Sequence, residues 1–431
     1  MIFIFYYFGN FDLNSKENKV EKKVWKSLTK LIDYINSEEL KGYDPYDALN
    51  SKVLANLSFN NRILKLVYTQ TLKRLPINLR PLLGIRKGYN PKGLGLFLSS
   101  YLKLYSLYRT NNYLQSIENI ISLLEKARCT GYSGYCWGFN FDWQSETFLT
   151  KKGTPTIVNT TFIAHALLDA YEIFGEDHFF EMARSSCNFI LHDLYIFKCD
   201  GTICFSYNPL DSSKIHNANV LGAGLLARVY SINKEDKLLD FARKAVSYTI
   251  NRQNENGSWY YGESRQEKGY WQKGENGTEY QKDVRYRGNV SYIDSYHTGF
   301  VLENISDFMK FIGDYSHIET IKKGVDFYEN NFFLEDGTPK YFHDRTYPID
   351  IHSSAQAIIT FSKLKDISTR NHVLEGIVHW MIDNMQDRRG QFYFRKGRVF
   401  KNKIPFIRWS QAWAFHALTT YYLYLCNNFE G

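Results

Sequence analysis

Two short stretches gather residue types that move protons. Asp294, Tyr296 and His297 stand together in "YIDSYHTGF", and Asp350 with His352 repeats the arrangement in "YPIDIHSSAQAI". A tyrosine and an imidazole can act as acid and base on a sugar ring, and a neighbouring carboxylate orients the imidazole. The competing reading is structural, with Asp294 and Asp350 as helix caps and the histidines as satisfied core residues. A third stretch, "GYCWGFNFDWQ", places Trp137, Asp142, Trp143 and Gln144 together. Indoles stack on sugar faces, amide and carboxylate groups read hydroxyls, and Asp142 is a candidate acid or base. An aromatic plug is the bland alternative.

Further polar groups could bind. His216, Asn217 and Asn219 stand in "HNANV", Tyr261 and Glu263 in "WYYGE", and Arg408, Trp409 and Gln411 in "RWSQAW". Arg287 lies in "KDVRYRGN", inside an insertion between Glu263 and Asn289 whose length and glycines suggest a lid over a site. Two reactions follow from such a set. Inverting hydrolysis needs two carboxylates roughly 6.5–9.5 Å apart, with Asp142 and either Asp294 or Asp350 as the pair. Chemistry at a uronate needs a base near C5 and a cation at the carboxylate, which suits Tyr296, His297, His352 and Arg408.

The elements that must position these residues repeat along the chain. Small, apolar helices begin with polar pairs in "VNTTFIAHALLDAYEIFG", "HNANVLGAGLLARVYSIN", "SYHTGFVLENISDFMKFIG", "DIHSSAQAIITFSKL" and "RWSQAWAFHALTTYYLYL". The aligned first positions, Asn159, Ala218, His297, His352 and Trp409, step by 59, 79, 55 and 57 residues. "NPKGLGLFLSSYLKLYSLY" lies one step upstream and makes a sixth. An amphipathic helix follows each of the first five, then a glycine turn and an aromatic, as in "ENGSWYYG" and "DRRGQFYF". Six such hairpins with small residues inward predict an all-α (α/α)6 toroid, a linear solenoid being the alternative. Its polar helix entrances would share one mouth, where helix dipoles favour anions.

This unit resembles the six-hairpin toroid of many glycosidases, uronate lyases and sugar epimerases. "GFNFDWQ", "HNANV", "YHTGF", "YPIDIHSSAQAI" and "WSQAWAFHAL", with "GYDPYDALNS" upstream, further resemble toroid proteins found with surface-polysaccharide biosynthesis. The resemblance runs from about Gly42 to the end. It implies short β returns, an N-terminal helical extension over residues 1–88 and a catalytic toroid over 89–431. "RQNENGSW" also resembles the Gln…Gly-x-Trp turn of terpene cyclases, but no Asp-rich cyclase motif accompanies it.

Composition narrows the partners. The 44% hydrophobic content is globular, and 33 Tyr with 31 Phe supply stacking platforms beyond a core. A net charge of +8, scattered rather than clustered, argues against nucleic acid. It leaves an anionic polysaccharide or lipid surface open. Six cysteines without CxxC spacing read as reduced thiols, and no motif calls for a metal or cofactor. The apolar start "MIFIFYYF" lacks a basic n-region, so the expected location is cytoplasmic, with the inner membrane face as an option. The expectation is a carbohydrate-active hydrolase, lyase or epimerase acting on a polysaccharide or oligosaccharide. The rival is a non-catalytic glycan-binding toroid that scaffolds a glycosyltransferase complex.

Overall fold

The structure is a computed structural model that describes residues 16–144, 149–263, 272–273, 278–279, 290–368 and 371–429. Helix α1 (Lys16–Ser37) precedes two shorter helices, α2 (Lys52–Leu57) and α3 (Arg62–Arg74). Five hairpins follow: α4 (Pro91–Tyr108) with α5 (Asn111–Lys126), α6 (Ile157–Phe174) with α7 (Asp177–His192), and α8 (His216–Asn233) with α9 (Asp236–Ile250). The last two pair α10 (Ser295–Ile312) with α11 (Ile318–Phe332), and α12 (Ile351–Lys363) with α13 (Asn371–Met385). Helix α14 (Trp413–Phe429) is entered through one π-helical turn, Ile407–Ala412. The extended returns are short: Trp143–Gln144 pairs with Leu149–Thr150, and Ile196–Cys199 with Thr202–Phe205. Ile349–Asp350, Arg395–Lys396 and Lys401–Asn402 make a three-stranded antiparallel patch.

The first helix of each pair and α14 face inward. They can do so because small residues let their backbones approach. A Cβ on Gly222 would lie 2.6 Å from Ile157 Cδ1, and one on Gly299 would lie 2.8 Å from Gln356 Cγ. Neighbours pack in the order α4, α6, α8, α10, α12, α14, and α14 packs back on α4. That last contact closes the ring. The outer helices bury one stripe each, as their alternating apolar and charged residues require.

Closure also needs an outer partner for α14, and α1 supplies it. The turn after each outer helix docks on the outer helix that comes next. Gly257, at φ +89°, would place a Cβ 2.2 Å from Lys323 O of α11. Gly390, at φ +96°, would place one 2.2 Å from Lys30 O of α1. A glutamine repeats the stitch: Gln253 Nε2 donates to Gly257 O (3.0 Å) and Thr320 O (2.9 Å). Gln386 Nε2 donates to Gly390 O (2.9 Å) and Ser27 O (2.9 Å). Helix α1 therefore stands to α13 as α11 stands to α9. The division expected at residue 88 does not follow this packing, because α1 belongs to the ring and the segment 38–90 lies across its mouth.

Away from the mouth, ion pairs join neighbouring inner helices. Arg228 Nη2 meets Asp169 (2.7 Å) and Glu172 (2.8 Å), and Lys363 meets Asp307 (2.9 Å) and Glu303. Most of these residues sit in the C-terminal halves of inner helices, and Glu303 sits midway along one. Charged pairs thus tie neighbouring inner helices together below the aromatic core. Replacing Gly390 with Ala forces a side chain onto the α1 backbone at a positive φ. A loss of about 2 kcal/mol or more is expected in urea unfolding. An unchanged midpoint would show that the α1 stitch does not hold the ring.

Candidate active site

The inner-helix entrances converge on a cavity of about 590 Å³. Each entrance is built by local capping. Asp294 Oδ1 accepts from His297 N at 2.9 Å, and Asp350 Oδ1 accepts from His352 N at 2.9 Å. Both carboxylates are buried, and each has a second task. Asp294 Oδ2 accepts from His297 Nδ1 at 2.7 Å, which leaves Nε2 as the nitrogen for the cavity that His297 lines. Asp350 accepts from Arg395 Nε (2.6 Å) and Trp409 Nε1 (2.8 Å). Trp409 and Arg408 ride on the π-helical turn, a form common at functional sites. Asp44 holds Arg408 bidentately, at 2.7 and 2.8 Å.

His352 is the least satisfied group in the site. It is 2% exposed, and neither ring nitrogen has a hydrogen-bond partner. Tyr296 stacks on it at 4.3 Å and 12°, while Trp413 lies 4.3 Å and Trp409 5.0 Å away. Burial, then Lys92, His297 and Arg408, push its pKa well below the ordinary 6.5, so the ring is neutral at neutral pH. An unpaired buried imidazole is costly and calls for an explanation in function.

Lys92 is the second such group. It sits in the first turn of α4, with Nζ over the rings of Phe162 (4.3 Å), Trp413 (5.1 Å) and Phe300 (5.5 Å). Burial and the nearby Arg408 pull its ammonium well below the usual lysine value, against Asp44. Lys73 Nζ donates to Tyr46 Oη at 2.5 Å, and burial lowers its pKa too. Tyr207, Tyr292 and Tyr341 complete the polar rim, each with its phenol pushed upward by burial. Lys73, Lys92, Tyr46 and these tyrosines carried no sequence signal as site residues. The one available hint is Lys92, a lone charge in the first turn of the otherwise apolar "NPKGLGLF".

The residues expected from sequence separate into groups. Tyr296, His297, His352, Trp143, Gln144, Asn217, Tyr261, Arg408 and Trp409 line the cavity. Asp294 and Asp350 stand behind it as anchors. His216 borders a small recess beside it, shared with Asn217 and His297, and burial pushes its imidazole down to about 3. Asp142 lies elsewhere: its carboxylate accepts from Lys151 Nζ (3.1 Å) and Lys152 N (2.8 Å), and does not line the cavity. Trp137 is wholly buried and donates to Leu124 O at 2.8 Å, so it packs rather than stacks on a ligand. Asn219 binds Phe205 N, Ala245 O and Thr249 Oγ1, and Gln411 binds Phe392 N and O; both are stitches between helix and return. Glu263 pairs with Lys214 and Arg252 outside the cavity. Arg287 and most of the long insertion lie outside the described residues. Among the described residues, no three His, Cys, Asp or Glu side chains converge to hold a metal ion.

No family model matches the chain, and no curated protein matches it in sequence. Solved structures do match in fold. A sugar epimerase from a ruminal bacterium superposes with a TM-score of 0.62 over 96% of this chain and 99% of its own, at 10% identity. An unsaturated glucuronyl hydrolase specific for heparin gives 0.60 over 94% and 97%, at 14% identity. An α-mannanase from Bacteroides thetaiotaomicron gives 0.56 over 78% and 87%, at 12% identity. At these identities the likeness is one of fold. Together with the closed ring of inner helices, it makes the chain an (α/α)6 toroid.

Proposed function

We propose that the protein is a carbohydrate-active enzyme that removes and returns a proton at a sugar carbon beside a carboxylate or carbonyl group, the chemistry of an epimerase. One observation carries this reading: two imidazoles, His297 and His352, flank the Tyr296 ring (4.1 and 4.3 Å) in a cavity whose charged lining is cationic. Among the described residues no carboxylate lines that cavity. Among the described residues a carboxylate-pair hydrolysis therefore has no pair of groups in the cavity, since Asp294 and Asp350 serve as anchors and Asp142 lies outside.

The steps follow from the groups present. His352, neutral at the start, takes the proton from carbon, and the electron pair moves onto the adjacent carbonyl or carboxylate oxygen. Lys92 and Lys73 face that developing charge, and a lysine with a lowered pKa is a stronger acid toward it. His297 enters the step as the imidazolium paired with Asp294 and gives its proton to the opposite face, which inverts the carbon with no atoms lost. His352 then releases its proton to water, and His297 regains one before the next turnover. Asp294 balances the imidazolium of His297 before its proton is given up. The cationic set favours a uronate in a polysaccharide or oligosaccharide, and the ring of Trp143 with the stacked pair Tyr261 and Tyr292 suits sugar faces. The names of two fold neighbours, a sugar epimerase and a cellobiose 2-epimerase from Bacillus thermoamylovorans, agree with this chemistry. Lyase chemistry shares the first step and differs only in losing a group from the next carbon.

Incubation with uronate-containing oligosaccharides in deuterated water should place deuterium at the inverted carbon. His297→Phe and His352→Phe, each folded by circular dichroism, should lower turnover about 10²–10⁴-fold, and Lys92→Met about 10²–10³-fold. New reducing ends without deuterium would instead establish hydrolysis, and binding with no product would establish the glycan-binding alternative. The pH profile gives a second check. His352 holds its neutral form below the ordinary imidazole value, so the acid limb it sets should lie below pH 6.5. A limb at or above 6.5 that is unaltered by His352→Phe would contradict its role.

A further inference from the structure

The segment that crosses the mouth has an outer surface that the cavity does not use. Helices α2 and α3 form a hairpin with Phe59 at its tip, 81% exposed. Ile63 (69%) and Val67 extend the apolar surface along α3, Val53 and Leu57 along α2, and Leu82 (85%) beyond it. Large apolar side chains this exposed and this close in sequence are more than the scattered ones that any surface carries. The charge along this stretch of chain has one sign, although Lys87 pairs with Glu38 outside it. From Ala48 to Ile117 the chain contains no Asp or Glu, while Lys52, Arg62, Arg74, Arg86 and Lys87 are exposed. Lys52, Val53, Leu82, Arg86 and Lys87 meet along a groove of about 960 Å³. No helix of the described residues is long and apolar enough to cross a membrane.

We infer that this hairpin docks the protein on an anionic lipid surface. Apolar side chains on an amphipathic element enter the headgroup boundary, and surrounding Lys and Arg are drawn to anionic headgroups. A protein partner would need an acidic face of matching shape, whereas a bilayer meets both features without shape complementarity. Position adds a consequence. The adjoining face of α3 lends Leu66, Gln70, Lys73 and Arg74 to the cavity, so docking sets the mouth beside the headgroups. The inference rests on exposure and charge, and holds whether or not the cavity is an epimerase site.

The test is sedimentation of the full chain with vesicles of phosphatidylcholine alone or with about one third phosphatidylglycerol. Binding is expected only to the anionic vesicles, and it should weaken as salt is raised. The double variants Phe59→Ser/Leu82→Ser and Arg62→Glu/Arg86→Glu alter exposed positions. Each should reduce binding on the order of tenfold with unchanged melting and unchanged deuterium incorporation. The inference is overturned if wild type stays in the supernatant, if neutral vesicles bind it equally, or if the variants pellet like wild type. It is also overturned if light scattering shows a dimer that Phe59→Ser/Leu82→Ser abolishes.

Discussion

Three buried carboxylates hold the mouth of this ring together. Asp294 and Asp350 each satisfy a backbone donor at the start of an inner helix and fix a second group. For Asp294 that group is the nearby His297, and for Asp350 it is Arg395 and Trp409 across a tertiary contact. Asp44 does the latter for Arg408. A carboxylate in such a place needs a partner, because burial otherwise drives it toward neutrality. The partners it acquires are an imidazole, two guanidiniums and an indole. The negative charge of the site thus sits one layer behind the cavity, and the groups that reach the cavity are imidazoles, phenols and cations.

The electrostatic character of the cavity follows from that layering. Burial first, and then the neighbouring cations, make His352 and Lys92 lose protons more readily than their free counterparts. Aromatic rings around them tolerate a cation through their faces but give no strong hydrogen bond. Neutral imidazole and acidified ammonium are states suited to passing a proton to and from a substrate at neutral pH.

What the sequence made legible was whatever is local or repeated. The spacing of inner helices predicted the toroid, and Asp294 with His297, three residues apart, predicted their own hydrogen bond. Asp350 looked alike, but its partners Arg395 and Trp409 come from later turns of the chain, so its task was not readable. Asp142 misled because its neighbour Trp143 lines the cavity while the local hairpin turns its carboxylate toward Lys151. Asn219 and Gln411 showed the polar pattern of a site, yet an amide that binds a return strand produces the same pattern. Lys92 could not be told from a surface lysine without knowing that Phe162, Phe300 and Trp413 surround it. The place of α1 was hidden because the ring is closed by the first helix, far in sequence from the turn at Gly390 that receives it.

The central claim is that His352 is a neutral, unpaired imidazole poised in a cationic aromatic cavity. Nitrogen-edited magnetic resonance of labelled histidine side chains, with His352 assigned by its loss in His352→Phe, reads this state directly. The account predicts a neutral ring that resists protonation below pH 6.5 and whose signals shift when a uronate oligosaccharide is added. A ring that titrates at the ordinary value, or one unmoved by a sugar that the protein binds, would contradict it.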